Sequence, residues 1–350
     1  MDFSCADLRA YGETPLTAKL RDGNEDFRVD EVLRFEPEGA GGHVWLRIEK
    51  SGKNTVDVAR TLARHAGVRT MDVGFAGQKD RYAIATQWFS VGLGNRTEPD
   101  WHALESDSLK VAAVTRHGKK LRRGQLSGNR FCITLRDVKG DRAALETRLE
   151  EISRSGVPNY FGPQRFGRDG ANLRACARMF SSGRRTGNGH RRGMLLSAAR
   201  AWLFNRVLSR RVGEKSWNRI LDGDVLMFDD SRSRFVADAG IARDDPRFQR
   251  LELHPTGPLW GKGLPGSVAG VAALERAVVR EHGLLSEGLE AAGIEADRRA
   301  LRLAARELRH CFDGDDVLRL EFFLRAGAFA TTVLAEIAGI FDAARGRRAG

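Results

Sequence analysis

The sequence predicts a mixed α/β chain folded as two domains. Three observations carry this. Residues 43–50 (HVWLRIEK), 130–138 (RFCITLRDV) and 317–325 (VLRLEFFLR) have the alternation and β-branched or aromatic content of half-buried strands. Between the first two, residues 54–67 repeat apolar positions at helical spacing. At 350 residues the chain also exceeds what a single core usually serves, and its texture changes at Gly156-Val157-Pro158.

Taken in order, residues 25–38 (EDFRVDEVLRFEPE) alternate in part and residues 43–50 cleanly. Asn54-Thr55 is a helix start signal. Val56, Ala59, Leu62, Ala63 and Ala66 form the apolar face that follows, and Gly67 is the stop. A short apolar turn, a charged triplet and the strand-like Thr86–Val91 come next. After residues 130–138, Asp141 caps a helix that ends before Gly156. Beyond Pro158 the chain has Gly/Arg-rich loops, the helical LLSAARAWLFNRVLSRRV and Pro/Gly-rich stretches near 255–267. Strand character returns at Val317, and Ala328–Ala344 reads as a closing helix. Residues 182–193 (SGRRTGNGHRRG) are poor in apolar side chains and read as a basic loop.

Hydrophobic residues make up 41% and charged residues 30%, a globular balance, and the formal net charge is +12. That excess favours a polyanionic partner, because neutralising phosphates releases condensed counterions. Cys5, Cys132, Cys176 and Cys311 are widely spaced, with no CxxC and no His at zinc-ligand spacing. With no secretory leader and no apolar run of membrane-spanning length, a cytoplasmic protein with no membrane association is expected. No apolar heptad suggests a partner helix, so a monomer is expected. Gly92-Leu93-Gly94 lacks the third glycine and the helix of a dinucleotide fingerprint, and Gly261-Lys262 lacks the spacing of a phosphate loop. Two basic clusters, 116–123 (RHGKKLRR) and 184–192 (RRTGNGHRR), suit either a solvated face or phosphate contact.

The most unusual segment is residues 74–89, GFAGQKDRYAIATQWF. It sets one carboxylate, Asp80, between Lys79 and Arg81, after small-residue turns and before a strand. Neighbouring cations favour the ionised carboxylate, the form that attacks an electrophilic carbon. Read locally, an exposed turn aspartate paired with Arg81 is the plain alternative.

This segment resembles the Lys-Asp signature of the TruD family of tRNA pseudouridine synthases. Residues 159–167 (NYFGPQRFG) resemble the family's second signature, and residues 25–29, 127–131 and 326–331 match it in the same order. The resemblance implies an enzyme that isomerises uridine 13 of tRNA to pseudouridine by detaching, turning and rejoining the base, with no metal and no cofactor. It implies Asp80 as nucleophile and Phe27, Asn129 and Phe329 as contacts to the target nucleotide. Taken alone, the two phenylalanines would be read as core and Asn129 as a turn residue. Either Lys79 or Arg21 could be the cation that faces Asp80. The implied fold is α/β (α+β): a pseudouridine synthase catalytic domain with a mixed, largely antiparallel sheet. Its residues would be 1–154 and 305–350, with an inserted family-specific α/β domain at 155–304.

Overall fold

The computed structural model describes residues 3, 8–183, 189–231, 233–237, 245–263 and 265–344. Cys5 and the centre of the 182–193 segment lie outside the described residues. The chain divides into two compact units, Pro15–Arg142 with Arg306–Gly327 and Ala338–Gly350, and Met1–Thr14 with Ala143–Ala305 and Ala328–Ile337.

The first unit is built on one sheet whose strands, in chain order, are β1 (Leu16–Leu20), β2 (Phe27–Leu33), β3 (His43–Ser51), β4 (Val73–Phe75), β5 (Ile84–Gly92), β6 (Leu109–His117), β7 (Leu126–Gly140), β8 (Arg306–Asp313), β9 (Val317–Arg325) and β10 (Ala338–Asp342). The order across the sheet is β8-β9-β7-β2-β5-β3-β6, with β1 on β7, β10 on β1 and β4 on β5. Among the described residues only β1–β10 and β2–β5 of this sheet run parallel, so it is mixed and largely antiparallel, as the resemblance implied. The fifteen-residue β7 organises it. One edge carries β1 opposite Leu135–Gly140 and β2 opposite Leu126–Ile133. The other carries β9 along Gly128–Leu135.

Helix α1 (Thr55–His65) buries Val58, Ala59, Leu62 and Ala63 against Leu46, Ile48, Phe89 and Val91. At roughly 1.5–3 kcal/mol per fully buried aliphatic or aromatic side chain, this cluster anchors both strands that flank the site. Asn54 occupies the cap position, yet its side chain bonds Asp57 rather than a backbone N–H.

The second unit packs helices Ala171–Ser182, Gly189–Gly213, Ala269–Arg280 and Gly283–Ala291 around a core centred on Leu195, Ala199, Trp202 and Leu203. A four-stranded sheet of Arg234–Val236, Val225–Phe228, Leu253–Leu259 and Asp297–Ala300 accompanies them. Residues 189–193, read from sequence as loop, are the first turn and a half of the long helix. The expected closing helix is shorter than the sequence suggested. It runs Ala330–Ile337, and the next five residues extend as β10. Gly339, Ile340 and Phe341 are poor helix formers, and the parallel ladder to β1 satisfies their backbone groups.

Candidate active site

Strand alternation decides what faces the site. Residues directly opposite one another in neighbouring strands project to the same side of a sheet. Lys50 lies opposite Ala85, Ile48 opposite Gln87, Val29 beside Ala85, Glu31 opposite Asn129, and Phe27 opposite Ile133. One face of the sheet therefore presents Lys50, Gln87, Glu31, Phe27 and Asn129 among aliphatic and aromatic neighbours. Lys50, Gln87 and Glu31 are buried polar groups, a rare placement that requires partners.

Their partners are in the loop between β4 and β5. Thr55 Oγ1, at the start of α1, accepts the Lys79 backbone N–H at 3.0 Å and donates to Gln87 Oε1 at 2.8 Å. Gln87 Nε2 donates to the Gly77 carbonyl at 3.4 Å. Lys50 Nζ donates to the carbonyls of Lys53 at 2.7 Å and Asp80 at 2.9 Å. Three side-chain bonds to backbone thus fix the loop around its single carboxylate.

That carboxylate is about a quarter exposed. Asp80 Oδ1 accepts the Tyr82 N–H at 3.1 Å, and Oδ2 lies 3.8 Å from Arg21 Nη2. Arg21 is buried, pairs with Asp342 at 3.0 Å, and sets its guanidinium carbon 4.4 Å from the Phe27 ring centroid. It follows β1 with φ near +60°, a conformation that non-glycine residues adopt at a cost of about 1 kcal/mol. The turn lets the chain leave β1 and re-enter as β2 on the same edge of β7.

The two cations that sequence left as alternatives are separated by the structure. Lys79 Nζ is committed to Glu31, whose other oxygen accepts the Trp88 N–H at 3.0 Å, and both side chains are almost wholly buried. Burial pulls the Lys79 amine below its usual range, while Glu31 opposes that shift. Lys50 is pushed down to about 8, chiefly by loss of solvent, with the Asp80 charge acting in the opposite sense. Arg21 is therefore the cation that faces the Asp80 carboxylate.

Of the other residues singled out from sequence, Phe27 is buried, with Arg21 over its ring and Phe131 edge-on at 5.9 Å. Asn129 is half-buried, and its Oδ1 is shielded from solvent with no hydrogen-bond partner among the described residues. Phe329 belongs to the second unit, where its exposed ring precedes the helix Ala330–Ile337.

A family profile described as tRNA pseudouridine synthase D (TruD) matches residues 6–184 and 188–337. The chain belongs to this family. A tRNA pseudouridine synthase D of Methylococcus capsulatus is 49% identical over 329 residues, covering 94% of this chain and 93% of its own length. That of Nitrosococcus oceani is 50% identical over 332 residues, with the same coverage. A crystal structure from Methanosarcina mazei, described as a candidate tRNA pseudouridine synthase D, superposes with a TM-score of 0.74. It is 23% identical, over 94% of this chain and 95% of that one, and so bears on the fold.

Within this TruD chain, sequence reasoning missed Lys50, Glu31, Thr55 and Gln87. The signal was present for the first two. In HVWLRIEKS, Lys50 continues the inward phase of Leu46 and Ile48, and in FRVDEVL, Glu31 continues that of Phe27 and Val29. A charge on the buried phase of an alternating strand marks a group with a partner.

Proposed function

We propose that this protein isomerises uridine 13 of tRNA to pseudouridine, with Asp80 as the nucleophile and without metal or cofactor. The observation that carries this reading is a solvent-reachable carboxylate on a loop immobilised by Lys50, Thr55 and Gln87 and faced by the Arg21 guanidinium. Holding a nucleophilic carboxylate in place can supply a large part of the barrier lowering.

Docking begins with phosphate contacts, which the +12 net charge favours. The target uridine leaves its stack, because C1′ and C5 are inaccessible inside one. Two routes of glycosidic cleavage suit the arrangement. In one, an Asp80 oxygen bonds to C1′ as the C1′–N1 bond breaks and its electron pair departs with the uracil. In the other, Asp80 removes the C2′ proton, and the C2′–H pair forms a C1′=C2′ double bond as the C1′–N1 pair leaves with the uracil. Asp80 returns the proton to C2′ when C5 bonds to C1′. The detached uracil turns, C5 bonds to C1′, Asp80 is restored, and the C5 proton is lost.

Asn129, with an unpartnered amide oxygen, is suited to read a donor on the base edge. Phe27, buried with Arg21 over its ring, is read as a contact to the target nucleotide. Phe329, with 37% of its surface exposed, can stack on a base. Residues 1–154 and 305–350 are read as the catalytic domain and residues 155–304 as the inserted one. The enzyme is read as a cytoplasmic monomer, which the scatter of exposed large apolar residues over separate elements supports.

The test is incubation with an unmodified tRNA transcript bearing uridine at position 13, without metal. Carbodiimide mapping would follow, with Asp80→Asn in parallel. Pseudouridine at that position from wild type, together with binding but no turnover by Asp80→Asn, is expected. Turnover by Asp80→Asn removes the nucleophile; modification only at another uridine removes the site assignment.

A further inference from the structure

Beneath the nucleophile loop lies a fully buried ammonium group whose bonds help fix the loop but whose charge the proposed chemistry has not used. Lys50 projects from the inner face of β3 with no exposed surface. Its hydrogen-bond acceptors are two main-chain carbonyls, those of Lys53 and of Asp80 itself. A lysine buried against neutral acceptors is costly to a fold, and an apolar residue would continue the Leu46–Ile48 row without that cost.

Two charges on the loop act on it, and two other elements supply the partners of those charges. The loop brings the Asp80 carboxylate, which favours the protonated amine, and Lys79, which disfavours it. β2 brings Glu31, which neutralises Lys79. The β1–β2 turn brings Arg21, which faces Asp80. Within β3, Glu49 falls on the opposite face by alternation.

We propose that Lys50 is a positioning residue for Asp80, clamping the nucleophile's own carbonyl and supplying the buried positive charge against which its carboxylate is held. This rests on the reading of Asp80 as the nucleophile. The clamp acts on the backbone of the reacting residue, so loosening it displaces the carboxylate directly. Displacements of about 1 Å at a reacting group cost on the order of 10²-fold in rate. The charge adds to that of Arg21 while Asp80 is anionic. When the Asp80 oxygen bonds to C1′ its charge is lost, and the amine is then held less firmly as ammonium.

The amine's lowered value, about 8, places its deprotonation within the range of an ordinary rate profile. Single-turnover rates at saturating tRNA, measured from about pH 6 to pH 9.5, should fall for wild type as the pH rises through that value. Lys50→Met should bind tRNA within about twofold of wild type, react on the order of 10–100-fold more slowly, and lack that alkaline fall. A Lys50→Met enzyme as fast as wild type, or one keeping the same alkaline limb, overturns the proposal.

Should Lys50→Met not fold, wild type and Asp80→Asn are labelled on lysine and titrated by NMR. A lysine titrating near 8 in wild type and lower in Asp80→Asn supports the coupling; no such lysine, or no shift, overturns it. Turnover by Asp80→Asn in the same series counts against the nucleophile alone. The NMR titration reads the lysine regardless of that outcome.

Discussion

If Lys79 serves Glu31 rather than Asp80, Glu31→Gln should expose the commitment. Both side chains are almost fully buried, and the Lys79 ammonium has Glu31 as its acidic partner. In contact at an effective dielectric of about 20, such a pair attracts by ~4 kcal/mol. Removing one partner leaves the other charge buried, which typically costs about 3–5 kcal/mol. The glutamine still accepts the Trp88 N–H, so the measured loss belongs to the charge. A destabilisation of ~3 kcal/mol is expected, against a total of about 5–15 kcal/mol for a typical domain.

Hydrogen exchange across residues 84–92 is the suitable assay, because it reads opening at the Trp88 amide without assuming that two units unfold together. Protection there should fall by about two orders of magnitude in Glu31→Gln at pH 7. The sign of its pH dependence follows from Lys79. Without Glu31, burial alone sets its amine, which in the folded state lies further below the usual 10.5. The penalty is then present in full below that folded value and shrinks as pH rises toward 10.5, so protection at pH 9 should exceed protection at pH 7. Glu31→Gln combined with Lys79→Met removes both charges and should recover to within about 1 kcal/mol of wild type. A single-variant loss under about 1 kcal/mol, or a double variant no better than the single, would refute the reasoning.

Two further perturbations test the scaffold around Asp80. Thr55→Val keeps shape but strips the Lys79 N–H and Gln87 Oε1 of their shared partner. It should lower kcat by about tenfold or more with KM little changed, and a larger change in KM than in kcat would contradict a positioning role. Gly128→Ala would set a Cβ 2.2 Å from the Leu324 carbonyl oxygen and 2.4 Å from the Phe323 ring, forcing β7 away from β9 beside Asn129. A loss of about 1–3 kcal/mol in thermal unfolding is expected, and an unchanged Tm would show that the strand pair yields freely.

The strands that border the site were legible because burial wrote itself into period two. His43–Ser51, Leu126–Gly140 and Val317–Arg325 each alternate over a half-buried sheet. Less legible were Leu16–Leu20, Leu109–His117 and Arg306–Asp313. The last alternates half-buried and exposed side chains of mostly polar type, so its pairing with β9 is a tertiary fact that composition does not record. Ala338–Asp342 was drawn into the preceding helix because the parallel partner that extends it lies more than 300 residues away, at Leu16–Leu20.

The site was legible unevenly for the same reason. Asp80 stands in a motif that local sequence makes conspicuous. Arg21, Glu31, Lys50, Thr55 and Gln87, which hold it, come from five separate elements, and those on the strands meet through sheet register. Lys50 reaches the loop because β3 lies against β5, and Glu31 reaches Lys79 because β2 lies on the other edge of β5. Arg21 reaches Asp80 because β1 and β2 share one edge of β7, with the turn between them at the loop. The central β5 is thus flanked by strands that carry opposite buried charges. The loop it feeds is tied to Lys50 through the Asp80 carbonyl and to Glu31 through the Lys79 side chain. A one-residue slip of either neighbour would turn its charge to the opposite face and release that tie. The register of three strands, rather than the loop's own sequence, therefore fixes where the Asp80 carboxylate points.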